Sequence, residues 1–453
     1  MADASTPVPY TADPLWLFIK DFGLFARNLL PWPGLFGLVI PLRTSNTGQL
    51  DELYPTFQNA WAVFQHLVLI VAQSIFLLSL LPLAVVLPAP IFYFSYIAAF
   101  IFGTRLVTVS LNGWRRRLYR SHEKYTLGWN VDPRERWVYI NGVATGRARK
   151  HWLQANLDRL ALTFRRPIYG IHNRTSGIIF DVIECIIQRD FAYATLDIRI
   201  AYAELMDMLT DEDISKVVLI VHSQGGIEGS LVLDWLYATL AAAQLAKLEI
   251  YTFGNAANHW NAPASTLSHH GRVTEGGGPA GKKQPLLNTS ITQSRPWERE
   301  SETRIVKHIE HYANTLDYVA RGGILHFRPD PPPPGAAGPE QTTAALPSQE
   351  ALDTNRFVGR LFKRTGPGHL LNQHYLDPMF QLDSSDAVRG RVLDGNGYMD
   401  QRVDQATFDR WDTVQALEGT EPQSRGVLIK DLSRLWRYRN GADADIDAAE
   451  NDG

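Results

Sequence analysis

The longest apolar stretch of the chain lies near its start. After Asp51-Glu52 no Asp, Glu, Lys or Arg occurs until Arg105. Within that interval residues 61–81 and 91–109 each reach the ~20 residues that a helix needs to cross a bilayer core. Pro82, Pro88 and Pro90 lie between them. Pro82 is expected to end the first helix, and Pro90 suits the opening turn of the second, where its missing N–H costs nothing. Soluble helices of this length carry a polar stripe, whereas here only Gln65, His66, Gln73 and scattered serines interrupt the apolar pattern. The pattern predicts a hydrophobic hairpin at about 61–109 within an N-terminal membrane-associating region, 1–125. A hairpin buried in a soluble core is the alternative. The connection 82–90 has no polar side chain, so a hairpin that dips into the bilayer stands beside one that crosses it. Upstream, Trp16, Phe18, Phe22, Phe25, Trp32 and Phe36 fit either a membrane interface or packing against the domain that follows.

From about Trp137 the pattern changes to short β-rich runs alternating with helical stretches, as in βαβ units with a parallel sheet. Strands are expected at 137–141, 167–171, 216–222, 248–253 and 304–312. Helices are expected from the loop after Asn141 to about Thr163, and at 178–188, 192–210 and 227–240. No antiparallel pair is evident before Trp137, so a reduced sheet is expected. Two segments break the alternation, 259–302 around Gly276-Gly277-Gly278 and 330–350 with its run of prolines. Neither can bury a core, and both read as flexible inserts in an α/β domain spanning 126–440. The acidic end, 441–453, reads as a disordered tail. The basic, amphipathic stretch 427–439 suits either the sheet or lipid.

With 453 residues the chain can hold one large domain with appendages. A net charge of −3 gives no reason to expect nucleic acid as a partner. The single cysteine, Cys185, excludes an internal disulfide and sits in an apolar run as a structural thiol. Arg115-Arg116-Arg117, Arg120 and Lys124 follow the hairpin, and Lys20, Arg27 and Arg43 precede it. Both flanks, and with them the α/β domain, are therefore expected on the cytosolic side of the membrane, which makes the protein membrane-associated and intracellular. The triplets Asn173-Arg174-Thr175 and Asn288-Thr289-Ser290 match the glycosylation pattern and oppose that orientation.

The chemistry concentrates at Val218-Leu219-Ile220-Val221-His222-Ser223-Gln224-Gly225-Gly226. An apolar run breaks at a polar turn and continues as a helix, which places one serine at a sharp bend. A serine hydroxyl must be exposed, given a base and provided with oxyanion donors before it can act as a nucleophile. The bend resembles the nucleophile elbow of the α/β-hydrolase superfamily, in particular its lipase-like serine esterases. Ser223 and Gly225 match the Gly-x-Ser-x-Gly pattern, while Val221 stands where a glycine is usual. That departure requires a wider turn or a smaller partner on the next helix.

The resemblance implies an α/β fold with a mostly parallel, hydrolase-type sheet flanked by helices. It also implies a triad in the order nucleophile, acid, histidine. Asp317, beyond the strand at 304–312, is the expected acid, with Glu310 and Asp330 as competitors. His369, on Gly366-Pro367-Gly368, is the expected base; His374 reads as structural. His308 and His311 precede Asp317 and violate the order, and on a strand their side chains point apart, so they do not make a metal pair. His269-His270 falls in the first insert. The oxyanion donors would be the amides of Gln224 and Val143, the latter in the loop Asn141-Gly142-Val143-Ala144-Thr145-Gly146. No cofactor and no metal is implied. The expected function is a membrane-anchored serine hydrolase whose partners are membrane lipids and an acyl ester substrate. An acyltransferase or thioesterase with the same triad, and a non-catalytic membrane protein on the same fold, are the alternatives.

Overall fold

The computed structural model describes residues 12–29, 32–42, 47–113, 118–144, 152–263, 304–328, 357–383, 390–417 and 426–445. The two inserts lie mostly outside the described residues, as do Asp330, His269-His270 and Asn288.

Helix α1 (Pro14–Leu29) precedes the hairpin, which is formed by α2 (Phe57–Val86) and α3 (Pro90–Asn112). Thr56 caps α2 by accepting from the Asn59 amide at 3.1 Å. Pro82 does not end α2, contrary to expectation: the helix runs through it to Val86. A proline removes only its own N–H, and the last turn still closes through the Leu87 amide and the Leu83 carbonyl at 3.0 Å. Pro90 opens α3, and Gly113 ends it at φ 63°. Both helices are long and apolar enough to span a membrane, and only 17% of each apolar window is buried. A core helix of a soluble protein would be mostly covered.

The covered part of the hairpin is a stripe of α2, Asn59, Ala62, His66, Leu69, Gln73 and Phe76, spaced three and four residues apart, together with Thr104, Thr108, Leu111 and Asn112 at the end of α3. Gln73 Nε2 donates to the Ser176 carbonyl at 2.7 Å, and Trp152 Nε1 donates to Asn59 Oδ1 at 3.2 Å. Asn59 and Gln73 thus sit where α2 meets the α/β domain, whereas Gln65 and Ser79 bond across to Ser110 and Tyr96 of α3. From α3, Asn112 exchanges two hydrogen bonds with the backbone of Thr175, at 2.7 and 3.0 Å.

The domain is built on β1 (Tyr119–Arg120), β2 (Glu135–Ile140), β3 (Ile168–Ile171), β4 (Lys216–His222), β5 (Leu248–Phe253), β6 (His308–Asn314), β7 (Arg360–Arg364) and β8 (Thr413–Gln415). These make one eight-stranded sheet in the order β1-β3-β2-β4-β5-β6-β7-β8. Only β1 runs antiparallel; every other pairing is parallel. The sheet therefore begins ahead of the boundary expected at 126. Helices α4 (Trp152–Phe164), α5 (Ile178–Phe191), α6 (Leu196–Thr210) and α7 (Gly225–Thr239) form the crossovers. Strands β4 and β5 are apolar and covered on both faces, as parallel strands between helical layers require. The core has two large clusters, one containing Trp137, Tyr251 and Phe362, the other Val138, Leu219 and Ile250, and a small third one of Phe25, Ile186 and Tyr318.

The stretch 427–439 lies on the sheet: Leu435, Trp436 and Tyr438 are buried, and Arg434 pairs with Glu249 at 2.7 Å. Asp445, in the acidic end, meets Lys216 at 2.8 Å.

Candidate active site

Strand β4 delivers Ser223 to the carboxyl edge of the sheet, directly before α7. Ser223 adopts φ 59°, a left-handed conformation that is rare for a residue with a side chain. Three backbone bonds hold it there. Its amide donates to Phe253 O at 3.0 Å, and its carbonyl accepts from Gly226 N at 2.9 Å and Ala256 N at 3.2 Å. Such over-determined strain is characteristic of functional bends.

The expected obstacle at Val221 has a visible solution. A Cβ on Gly229 of α7 would lie 3.1 Å from Val221 Cγ1 and 2.9 Å from the Trp260 ring. The side chain that the elbow gains at 221 fills the space left empty at 229. Gly225 passes tightly against the carbonyl oxygens of Ile140 and Asn141, which leaves no room for a Cβ.

Asp317 follows β6 at the same edge and is fully buried. Its Oδ1 accepts from the Val319 amide at 2.8 Å, capping the short helix Tyr318–Gly322. Its Oδ2 accepts from Tyr375 Oη at 2.6 Å and faces His369 Nδ1 at 2.8 Å. The aspartate is thus both a helix cap and the partner of the histidine. A carboxylate only accepts, so the Nδ1 proton points at Asp317 and the lone pair falls on Nε2. Among the described residues, that buried Nε2 has no hydrogen-bond partner. Gly254 makes the meeting possible, because a Cβ there would sit 2.8 Å from Asp317 Oδ2 and 2.9 Å from His369 Nδ1.

His222, the residue before Ser223, ties the histidine to the elbow. Its ring packs on that of His369 with centroids 4.6 Å apart, and its Nε2 donates to the His369 carbonyl at 2.7 Å. Burial, and then the neighbouring His369, hold the His222 imidazole well below the ordinary histidine pKa, so it stays neutral. Neither His222 nor Tyr375 was singled out from the sequence as part of the site. His222 carries a signal only by adjacency to Ser223; Tyr375 has none beyond its place after the histidine loop.

His369 also depends on a segment far away in the chain. The Gly368 and His369 amides donate to Gly37 O at 2.9 Å and Leu38 O at 3.3 Å. Pro41 O accepts from Gln373 Nε2 at 2.8 Å and from His374 Nε2 at 3.0 Å, which makes His374 structural. Glu52 accepts from the Asn372 amide at 2.9 Å and the Gln373 amide at 3.3 Å.

On the other side of Ser223 lies the loop after β2. Gly142 approaches so closely that a Cβ would collide with the serine side chain, 2.9 Å from its Oγ. Val143 is half-buried next to it and packs on the second core cluster. Thr145 and Gly146, which complete the expected oxyanion loop, lie outside the described residues. Asn141 ties this loop to the one after β3, bonding the Asn173 amide at 3.0 Å and its carbonyl at 2.9 Å. Gln224 opens α7, where amide dipoles favour negative charge. Its side chain turns away from the serine, accepting from Asn173 Nδ2 at 2.7 Å and donating to Gln188 at 2.9 Å. Asn173 is buried by this contact and is no acceptor for a glycan in the folded chain.

The competitor Glu310 is occupied elsewhere: it accepts from Tyr312 Oη at 2.5 Å and from the Arg434 amide at 2.7 Å. Cys185 is a buried free thiol. The structure therefore brings Ser223, Gln224, Asp317, His369 and the Gly142-Val143 turn to one edge of the sheet. No family model, curated protein or solved structure matches the chain.

Proposed function

We propose that the chain is a membrane-associated serine hydrolase of α/β-hydrolase type that cleaves carboxylic esters of amphiphilic, lipid-like substrates. The observation that carries this reading is a buried carboxylate paired with a histidine whose other ring nitrogen has no hydrogen-bond partner among the described residues, and whose ring packs on His222, the residue before a serine in a strained strand-to-helix bend. The order of parts supports it. The serine follows β4, the acid β6 and the histidine β7, with one antiparallel strand at the far side of the sheet.

In this reading Ser223 Oγ attacks the carbonyl carbon while His369 Nε2 takes its proton. The C–O double bond opens to an oxyanion facing the amides of Gln224 and Val143. Asp317 steadies the imidazolium, itself held by Tyr375. Collapse of the intermediate breaks the ester C–O bond, and His369 returns the proton to the departing alkoxide, releasing an alcohol. Water, deprotonated by His369, then attacks the acyl-enzyme to release the acid and restore the serine. The hairpin keeps the edge near substrates that partition into a bilayer.

A fluorophosphonate probe tests the reaction type. Labelling is expected in the intact chain, absent in Ser223→Ala and strongly slowed in His369→Ala. Equal labelling of Ser223→Ala and the parent chain would overturn the proposal.

A further inference from the structure

Helix α1 keeps an uncovered apolar face. Leu17, Asp21, Leu24, Phe25 and Asn28 are buried on its inner side, where Asp21 accepts from Arg189 of α5 at 2.6 Å, while Ile19 and Phe22 are 69% and 63% exposed. Beyond it the chain continues the apolar surface through Trp32 and Phe36, exposed at 77% and 65%. The exposed charges on the helix itself are both basic, Lys20 and Arg27. Lys20 lies over the Trp16 ring, 3.3 Å from its centroid, a pairing of ammonium and indole suited to the headgroup level. Further along, at Phe57, the chain enters α2, whose outward side chains are equally apolar. Meanwhile the inner edge of the same segment, at Gly37, Leu38 and Pro41, accepts hydrogen bonds from the histidine loop.

We propose that α1 and the segment 32–42 form a lipid contact lying in the plane of the membrane, distinct from the hairpin, which seats the histidine loop against an anionic bilayer surface. An apolar face bordered by Lys20 and Arg27, with the exposed acid Asp13 confined to the start of the helix, fits an anionic surface. The contact assigns the substrate class for the proposed hydrolysis: an ester presented by the bilayer, rather than one dissolved in water. That second half rests on the hydrolase reading; the first half does not.

The test uses the full chain reconstituted in vesicles of phosphatidylcholine and phosphatidylglycerol, with Cys185→Ala removing the native thiol. An environment-sensitive fluorophore is attached through Phe36→Cys, and through Leu81→Cys in the hairpin as a reference. Vesicle lipids bearing a nitroxide near the headgroup are expected to quench the probe at 36. Quenching at 81 with none at 36 would overturn the contact. Pyrene excimers at 36 would overturn it too, assigning the face to a second copy of the chain. Separately, Trp32→Ser with Phe36→Ser is expected to lower hydrolysis of a long-chain fluorogenic ester dissolved in the vesicles by about tenfold. Fluorophosphonate labelling of Ser223 by a water-soluble probe should stay within about twofold, because the variant leaves the carbonyls of Gly37, Leu38 and Pro41 in place. Equal loss of both would reduce the segment to a structural brace and sink the proposal. Absence of labelling in the parent chain would defeat the hydrolase reading and leave the quenching result standing.

Discussion

Val221 stands at the elbow position where a side chain is hardest to fit, and its cost is met on the facing helix rather than in the turn. Gly229 is the compensating residue, since a Cβ there would press on both Val221 and Trp260. Gly229→Val is therefore expected to destabilise the fold by about 1–3 kcal/mol through overpacking. In a Val221→Gly background the same change should cost less, and a double-mutant cycle of thermal unfolding reads the difference. Strictly additive effects would show that the two positions are not coupled. Tyr375 offers a second test at this scale. Tyr375→Phe removes the 2.6 Å bond to Asp317 and the 3.2 Å bond that Tyr375 Oη accepts from the Asn314 amide, while keeping the ring that packs on Phe253. Losing the bond to Asp317 is worth about 1 kcal/mol, which predicts fluorophosphonate labelling slowed by about fivefold, and the orphaned Asn314 amide predicts a lower unfolding temperature as well. An unchanged labelling rate would remove Tyr375 from the positioning of the acid.

At the scale of elements, the parts most exposed to inference from sequence were the buried central strands. Strand β4 at 216–222 and β5 at 248–253 match their expected bounds because an apolar run flanked by turn residues has few other readings. Strand β6 lies a little further along than the expected 304–312, at His308–Asn314. Strand β7 was hidden by its own chemistry. Arg360, Lys363 and Arg364 frame only Leu361 and Phe362, and the charges are satisfied by distant partners such as Asp412, 2.7 Å from Arg360. The two- and three-residue strands β1 and β8 carry no period to read. The buttress of the histidine loop was equally silent, since it consists mostly of backbone carbonyls and one carboxyl group. That group, Glu52, is pushed from its ordinary value of 4.5 to about 8 by burial, aided by the charge of Asp51 and opposed by the Asn372 and Gln373 amides. A raised carboxyl binds its proton more tightly folded than unfolded. Its stabilising contribution is complete below the ordinary value and is lost as pH rises through about 8. The unfolding temperature of the detergent-solubilised chain should fall across that window, and Glu52→Gln should flatten the fall. Part of the slope will remain, because Glu184 and Asp190 are raised to about 7 and about 8 by burial. An identical slope in the variant would show that the buttress does not titrate.

For the whole molecule, the relation between hairpin and domain decides whether the candidate site keeps a fixed position relative to the two apolar helices. A hairpin joined only through its linker would let the domain swing. Here polar side chains spaced along the two helices fasten it at the loop after β3: Gln73 to Ser176, and Asn112 to both backbone groups of Thr175. Phe180, in the first turn of α5, adds edge contacts to Phe76 and Phe100, each with centroids 6.2 Å apart. The same loop continues to Asn173, which is bonded to Asn141 beside the serine and to the Gln224 side chain. The hairpin and the expected oxyanion side of the site are thus one hydrogen-bonded unit. Asn112→Ala leaves a buried amide and carbonyl without their partners, which costs about 2–4 kcal/mol of local stability for the pair. Hydrogen exchange at the Thr175 amide should accelerate by about tenfold or more in this variant, with the amides of β4 unaffected. Fluorophosphonate labelling should slow as the loops beside Ser223 loosen, whereas global unfolding temperature should change little. If exchange rises across the whole sheet, the hairpin is part of the folding core instead; if it rises nowhere, the hairpin and the domain are held together by something other than these bonds.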